Sequence, residues 1–276
     1  MLAANRTATL QEMVDYMNAQ AAKIQTLNST VDIDTSVGGS KKGKVTEYQQ
    51  IRGYILVRKP DLLRMIGLFP VVRNRAFDMV SDANGFKLYI PAKNRFIIGP
   101  PDVVHPSANP LENLRPQVIY NALLIRAVDP NNEIAILEQS AEVVNDVTTK
   151  RIEESPTYVV DVIHKGDKGW YLSRKVIFSR GDLLPHRQLI YDLEGNLVTE
   201  AKYEGYKDFN GTQYPTDIDI WRPSEEYSIG ITVVKLTVDQ PLKDDQFTLE
   251  QPSGVQVVHL DSENNQVSQG GDPEKK

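Results

Sequence analysis

The feature that most constrains this chain is the text from about residue 134 onward, which is nearly all strand and turn. The segments "EIAILEQ", "TYVVDVIH", "GWYLSRKVIFSR", "HRQLIYDL", "NLVTEAKYEGYKD", "TQYPTDIDIWR" and "EYSIGITVVKLTVD" are separated by short connections such as "KGDKG", "EG" and "NG", which suit antiparallel neighbours. Similar segments come earlier, "TVDIDTSV", "VTEYQQIRGYILVRK", "DLLRMIGLF", "RAFDMVSD", "FKLYIP" and "RFIIG", with an Asn84-Gly85 hairpin signal among them. A long, twisted antiparallel sheet curls, and its concave face must be filled by side chains, by helices or by a ligand.

Helix is scarce. Leu10, Met13, Val14, Met17, Ala21 and Ile24 recur at spacings of three and four behind a Thr9/Glu12 capping box. A second helix is expected from about 110 to 124, where Val118, Ile119, Ala122 and Leu123 share a face. So little helix against roughly ten strands or more predicts a mainly β (α+β) fold. Its expected form is an unclosed antiparallel β-barrel with an N-terminal and a central helix in its mouth, acting as a lid. The expected organisation is a single domain over residues 1–260 and a disordered polar tail over 261–276, "DSENNQVSQGGDPEKK".

Composition excludes several functions. With 31 Lys+Arg against 37 Asp+Glu and a net charge of −6 over 276 residues, the chain has no electrostatic footprint for nucleic acid. It has no cysteine, which removes disulfides, thiolate metal sites and thiol nucleophiles. No run is long enough to span a bilayer as a helix, and "MLAANRTATL" lacks the regions of a signal peptide. The protein is therefore expected to be cytoplasmic, or to have lost a targeting segment.

Most chemical motifs fail on inspection. "GGSKKGKV" from Gly38 approaches a phosphate-binding loop, but Val45 stands where Ser or Thr should hold magnesium, and a strand follows. His105, His164, His186 and His259 are scattered without ligand spacing, so no metal site is expected. Asp32/Asp34 and Asp217/Asp219 could serve acid/base chemistry, yet strand alternation equally makes them a solvated face. Tyr203, Tyr206 and Tyr214 surround the Asn210-Gly211 turn and read as cross-strand packing partners. Nothing assembles a nucleophile with a base, and no enzyme or cofactor is expected.

One stretch stands apart. In "RGYILVRKPDLLRM", residues 52 to 65, alternation puts Ile55, Val57 and Lys59 on one face and Tyr54, Leu56 and Arg58 on the other. Neither face is cleanly polar, and the cations gather at the strand's end, either as rim contacts or as solvated charges. "MIGLFP" follows as a turn carrying Leu68 and Phe69, which either inserts into a membrane or partner or folds back onto the sheet.

The order of capped helix, strand, "GYILVRKPDLLRM", "VSDANGFKLYIPAKNRF", second helix, meander and "DDQFTLEQPSGVQVV" resembles the LolA/LolB family of periplasmic lipoprotein carriers and outer-membrane lipoprotein receptors. The long meander from about 155 to 240 is similar to the larger lipoprotein-sorting relatives. The family's closing pattern is matched by Phe247, Leu249, Pro252, Gly254 and Val255, with one extra residue before the proline. The resemblance implies an unclosed barrel that shelters lipid acyl chains or lipoproteins, without catalysis or cofactor. It implies the bacterial envelope, either periplasmic or anchored at the outer membrane as a lipoprotein. It places Arg58 and Lys59 at the lid, Ile55, Val57, Leu63 and Met65 in the cavity lining, and Leu68 and Phe69 on a loop that touches membrane or partner. Lys59 stands where the family's Arg-Pro pair has arginine, giving a point charge in place of a planar fork. The alternative expectation is an envelope interaction or sensor module whose barrel is solid.

Overall fold

In the computed structural model the described residues are 5–39, 43–101, 115–146 and 151–260, with side chains described for all of these except 144–146 and 151–153. His105, residues 110–114 of the expected second helix, Ser40 to Lys42 of the glycine-rich loop and the tail from Asp261 lie outside them.

The chain opens with α1 (Leu10–Lys23), and the Thr9/Glu12 capping box is formed as expected. A first meander follows: β1 (Thr26–Val37), β2 (Thr46–Arg58), β3 (Leu62–Leu68), β4 (Arg75–Ser81), β5 (Phe86–Ile90) and β6 (Arg95–Gly99). Asp82 shapes its Asn84-Gly85 turn, its carboxylate accepting from the amides of Asn84 (2.8 Å) and Gly85 (3.0 Å). After α2 (Pro116–Leu123) comes a second meander, β7 (Glu133–Asp146), β8 (Arg151–Gly166), β9 (Gly169–Ser179), β10 (Pro185–Tyr191) and β11 (Leu197–Glu204). A two-stranded ribbon, β12 (Lys207–Asp208) and β13 (Gln213–Tyr214), interrupts it before β14 (Asp217–Arg222), β15 (Tyr227–Val238) and β16 (Gln256–His259).

Fourteen strands form one sheet in the order β16-β6-β5-β4-β3-β2-β1-β15-β14-β11-β10-β9-β8-β7. The two meanders are joined where β15 returns beside β1, with Ile33 opposite Ile231. All pairings are antiparallel except β16 with β6. β16 and β7 stand at opposite edges and no described strand connects them, so the barrel is unclosed.

Alternation decides the faces. Val31, Ile55, Val57, Leu63, Met65, Ile218, Ile220 and Ile231 are all at most 2% exposed and meet α2 in one large concave core. A second core, under α1, is formed by Met13, Met17, Tyr158, Val160, Val162, Val176 and Phe178. On the convex side Val80, Phe96 and Leu249 make a third cluster where the C-terminal segment crosses the first meander.

Candidate functional site: the helix-roofed cleft

The two helices occupy the concave face in different ways. In α2, six of eight residues are buried, from Pro116 to Leu123, including the fully enclosed Ile119. The last carbonyls of a helix have no partner within it, and here the sheet supplies them. Gln188 Nε2 donates to the Asn121 carbonyl (3.0 Å), Tyr203 Oη to Ala122 (3.0 Å) and Tyr214 Oη to Leu123 (2.9 Å). Tyr120 Oη donates in turn to the Pro60 carbonyl (2.5 Å). Burial pushes the Tyr203 and Tyr214 phenols far above their ordinary range, so they remain neutral donors. Tyr203 and Tyr214 are thus more than the cross-strand partners expected from the Asn210-Gly211 turn; they cap α2 from across the core. A hint was available in the sequence. Tyr203 shares its strand face with Ala201, and an inward phenol needs a buried hydrogen-bond partner.

By contrast α1 is amphipathic, with Met13 and Met17 its only buried residues. Tyr16 meets Phe178 edge to face at 6.0 Å, and the Asn18 side chain accepts from the Val128 amide (2.8 Å). Two lysines hold its C-terminal end. Lys59 Nζ donates to the Ala21 carbonyl, and Lys23 Nζ to the Gly211 carbonyl. A cation is favoured there because the unsatisfied carbonyls carry the negative end of the helix dipole. Burial lowers the Lys59 pKa, against which the charge of Asp239 acts.

Between the helices and β9 to β13 lies a narrow cleft, partly open to solvent, with about 60 Å³ of free space. Met17 lines it from α1 and Ile24 from just beyond it, Leu123 and Ile125 from the end of α2, Phe178 from β9 and Tyr206 from the connection between β11 and β12. Among the described residues that line it, Lys59 is the one cation and there is no carboxylate.

The residues singled out in the sequence fall into three places. Ile55, Val57, Leu63 and Met65 lie in the large core, with Ile55 opposite Met65 and Val57 opposite Leu63, and do not line the cleft. Away from the helices, the concave face is filled by its own side chains. Lys59 is at the cleft, but Arg58 points the other way. Its guanidinium donates to the Leu242 carbonyl (2.8 Å), pairs with Asp244 (2.5 Å) and sits 5.2 Å above the Phe247 ring. Beside it Arg64 holds the buried Asp78 through two nitrogens and donates to the Gln246 carbonyl (2.9 Å). The adjacent cations therefore serve opposite faces, one gripping α1 and the other the C-terminal segment.

Leu68 ends β3 half-buried, and Phe69 is 39% exposed. The apolar tip lies just beyond them: Val71 is 98% and Val72 65% exposed. Val71 and Arg73 have positive φ, 67° and 52°, which is costly for a β-branched residue. Asp32, Asp34, Asp217 and Asp219 alternate with buried apolar residues and face the convex side, away from the cleft. Thr216 and Thr232 hydroxyls donate to Asp217 (2.8 and 3.1 Å), and burial raises the Asp219 carboxyl, helped by Glu204 and Asp217. No cluster of three metal-ligating side chains occurs among the described residues.

This arrangement is that of a curled sheet with helices laid in its mouth, and solved structures share it. The chain is similar to a LolA superfamily protein from Nitrosomonas europaea at 14% identity, with a TM-score of 0.52 and coverage of 88% of this chain and 99% of that one. It is similar to a DUF1329 family protein from Desulfovibrio piger at 18% identity and a TM-score of 0.53, covering 88% and 98%. A third structure, described as an outer membrane lipoprotein-sorting protein domain from Vibrio parahaemolyticus, matches at 14% identity and a TM-score of 0.52, covering 86% and 94%. The fold is accordingly the LolA type. Comparison with models of known protein families finds no match, and neither does comparison with curated protein sequences.

Proposed function

We propose that this protein binds acyl chains of lipids or lipoproteins, without catalysis, in the cleft roofed by α1, and does so in the bacterial envelope. The observation that carries this reading is an apolar cleft beneath a lightly buried amphipathic helix that a lysine grips by its end. The names of the similar structures, a LolA superfamily protein and a lipoprotein-sorting domain, support it.

Magnitudes favour α1 as the part that yields. Burying its two methionines contributes about 3–6 kcal/mol at about 1.5–3 kcal/mol each, whereas a chain of about a dozen methylenes gains roughly 10 kcal/mol at about 0.8 each. An incoming chain can therefore replace α1's apolar contacts. The same exchange run backwards assists release, because α1 recovers its contacts as the chain leaves. α2, with six buried residues and its carbonyls capped, stays as the floor.

The strained tip at Val71 and Val72, flanked by the exposed Arg73, suits contact with a membrane surface during transfer. The filled concave core supports the other reading, a solid interaction module without cargo. Solvent extraction of the purified protein followed by mass spectrometry, with displacement of an acyl-chain fluorophore, separates the two. Acyl lipid in the extract and displacement by added lipid are expected; empty protein that displaces nothing sinks the binding role. Liposome flotation of a Val71→Glu/Val72→Glu variant is expected to lose membrane association, and unchanged flotation removes the tip from the account.

A further inference from the structure

We infer that the cleft takes one acyl chain bearing an anionic head, a carboxylate or a phosphate, and that Lys59 is the residue selecting it; this rests on the acyl-binding reading above. The first ground is charge. A ligand entering the cleft meets hydrocarbon, neutral polar groups and one ammonium, with no carboxylate on the described lining. An ammonium has three donors, and among the described residues only the Ala21 carbonyl accepts from this one. Asp239, the anion acting on Lys59, already accepts from the amides of Gln25 (2.7 Å) and Thr26 (3.4 Å). Two directions on Nζ are thus left for a ligand, and a half-buried cation gains most from a partner that carries the opposite charge.

The second ground is room. Ligand pockets of about 300–1,000 Å³ take drug-sized molecules; the cleft as it stands holds about 60 Å³ of free space, so a chain enters only as α1 yields. A starting space this small favours one chain over several. Enlargement towards α2 is opposed by the Gln188, Tyr203 and Tyr214 caps, so several chains of a multiply acylated lipid do not fit without dismantling the floor. The ammonium next to α1's last turn then couples the head to the lid: a ligand anion and the Ala21 carbonyl share one Nζ.

The test uses the full chain and two matched pairs of 16-carbon lipids, the fatty acid against its methyl ester and lysophosphatidate against monoacylglycerol, titrated by calorimetry. The wild type is expected to prefer the anionic member about tenfold in at least one pair. Discrimination in the first pair alone assigns a carboxylate head, in the second alone a phosphate head. Lys59→Gln should bring the ratio near one, and Lys59→Arg should retain the preference, which separates charge recognition from loss of fold. Ratios near one in the wild type, or an unchanged ratio in Lys59→Gln, overturn the inference and leave acyl binding standing. If none of the four lipids binds, it is the acyl-binding reading itself that falls.

Discussion

The two helices share one concave face, yet one is built into the core and the other is laid on it. α2 has eight residues, six of them buried, and a neutral hydrogen bond on each of three successive terminal carbonyls. α1 is almost twice as long but buries two side chains and is held at its end by two lysines. Length is therefore no guide to attachment. Buried area and satisfied carbonyls are, and they make α2 part of the scaffold and α1 the part free to respond to a ligand.

The sharpest way to break this contrast is to delete core volume under each helix. Ile119→Ala, at a fully buried position of α2, is expected to lower global stability by about 2–5 kcal/mol in urea unfolding. Met17→Ala removes a comparable volume from α1, and its larger effect should be faster amide exchange across residues 10–23. Equal global losses from both would mean that α1 is scaffold too. Next in size are the caps. Tyr203→Phe leaves the Ala122 carbonyl without its partner and should cost about 1–3 kcal/mol, again in global unfolding, with little change in the exchange of α1.

Acid sharpens the comparison from the other side. Near the second core, Glu133 pairs with Arg174 at 2.6 Å, both side chains being nearly inaccessible. Burial by itself would raise the Glu133 carboxyl, but hydrogen bonds and charge from Arg174, with the Asp129 amide, hold it below the usual range. Its stabilising contribution is thus complete above the unfolded carboxyl's pKa and disappears as pH falls through the lower, folded value. Acidification below about pH 4.5 should loosen the α1 half first, and Glu133→Gln should flatten that dependence. The phenols that cap α2 from the sheet, Tyr203 and Tyr214, behave oppositely. Their raised pKa leaves the cap intact through neutral pH, and its contribution is lost only as pH climbs above about 10, where the unfolded phenol ionises. The smallest expected effect is Lys59→Ala, under about 1 kcal/mol globally because the contact is partly solvated, but visible as faster exchange in the last turn of α1.

Much of this was legible in the order of residues. Strand alternation placed Ile55, Val57 and Lys59 on one face and Arg58 on the other, and the capping box fixed the start of α1. The Asn84-Gly85 turn was likewise legible, as was the excess of sheet over helix that forbids full cover of the concave side. What could not be read were meetings between distant segments. Tyr203 and Tyr214 lie 81 and 91 residues from the carbonyls they cap. Arg58 reaches residues more than 180 positions away. Phe69 of the expected tip is exposed, and Val71 and Val72 extend it, while Leu68 is half-buried; Leu68 and Val71 are both apolar in sequence, and only the backbone turn decides which one the solvent sees more.

The sequence by itself determined the local choices: which segments become strands, which of their faces is apolar, and where α1 begins. These depend on neighbours within a few residues, and the periods of two and 3.6 record them directly. The tertiary structure alone decided that α2 would be the floor and α1 the cover, and that Lys59 would end beside the cleft. Those outcomes depend on how a fourteen-stranded sheet curls until residues far apart in the chain share one space, and no local pattern carries that curvature.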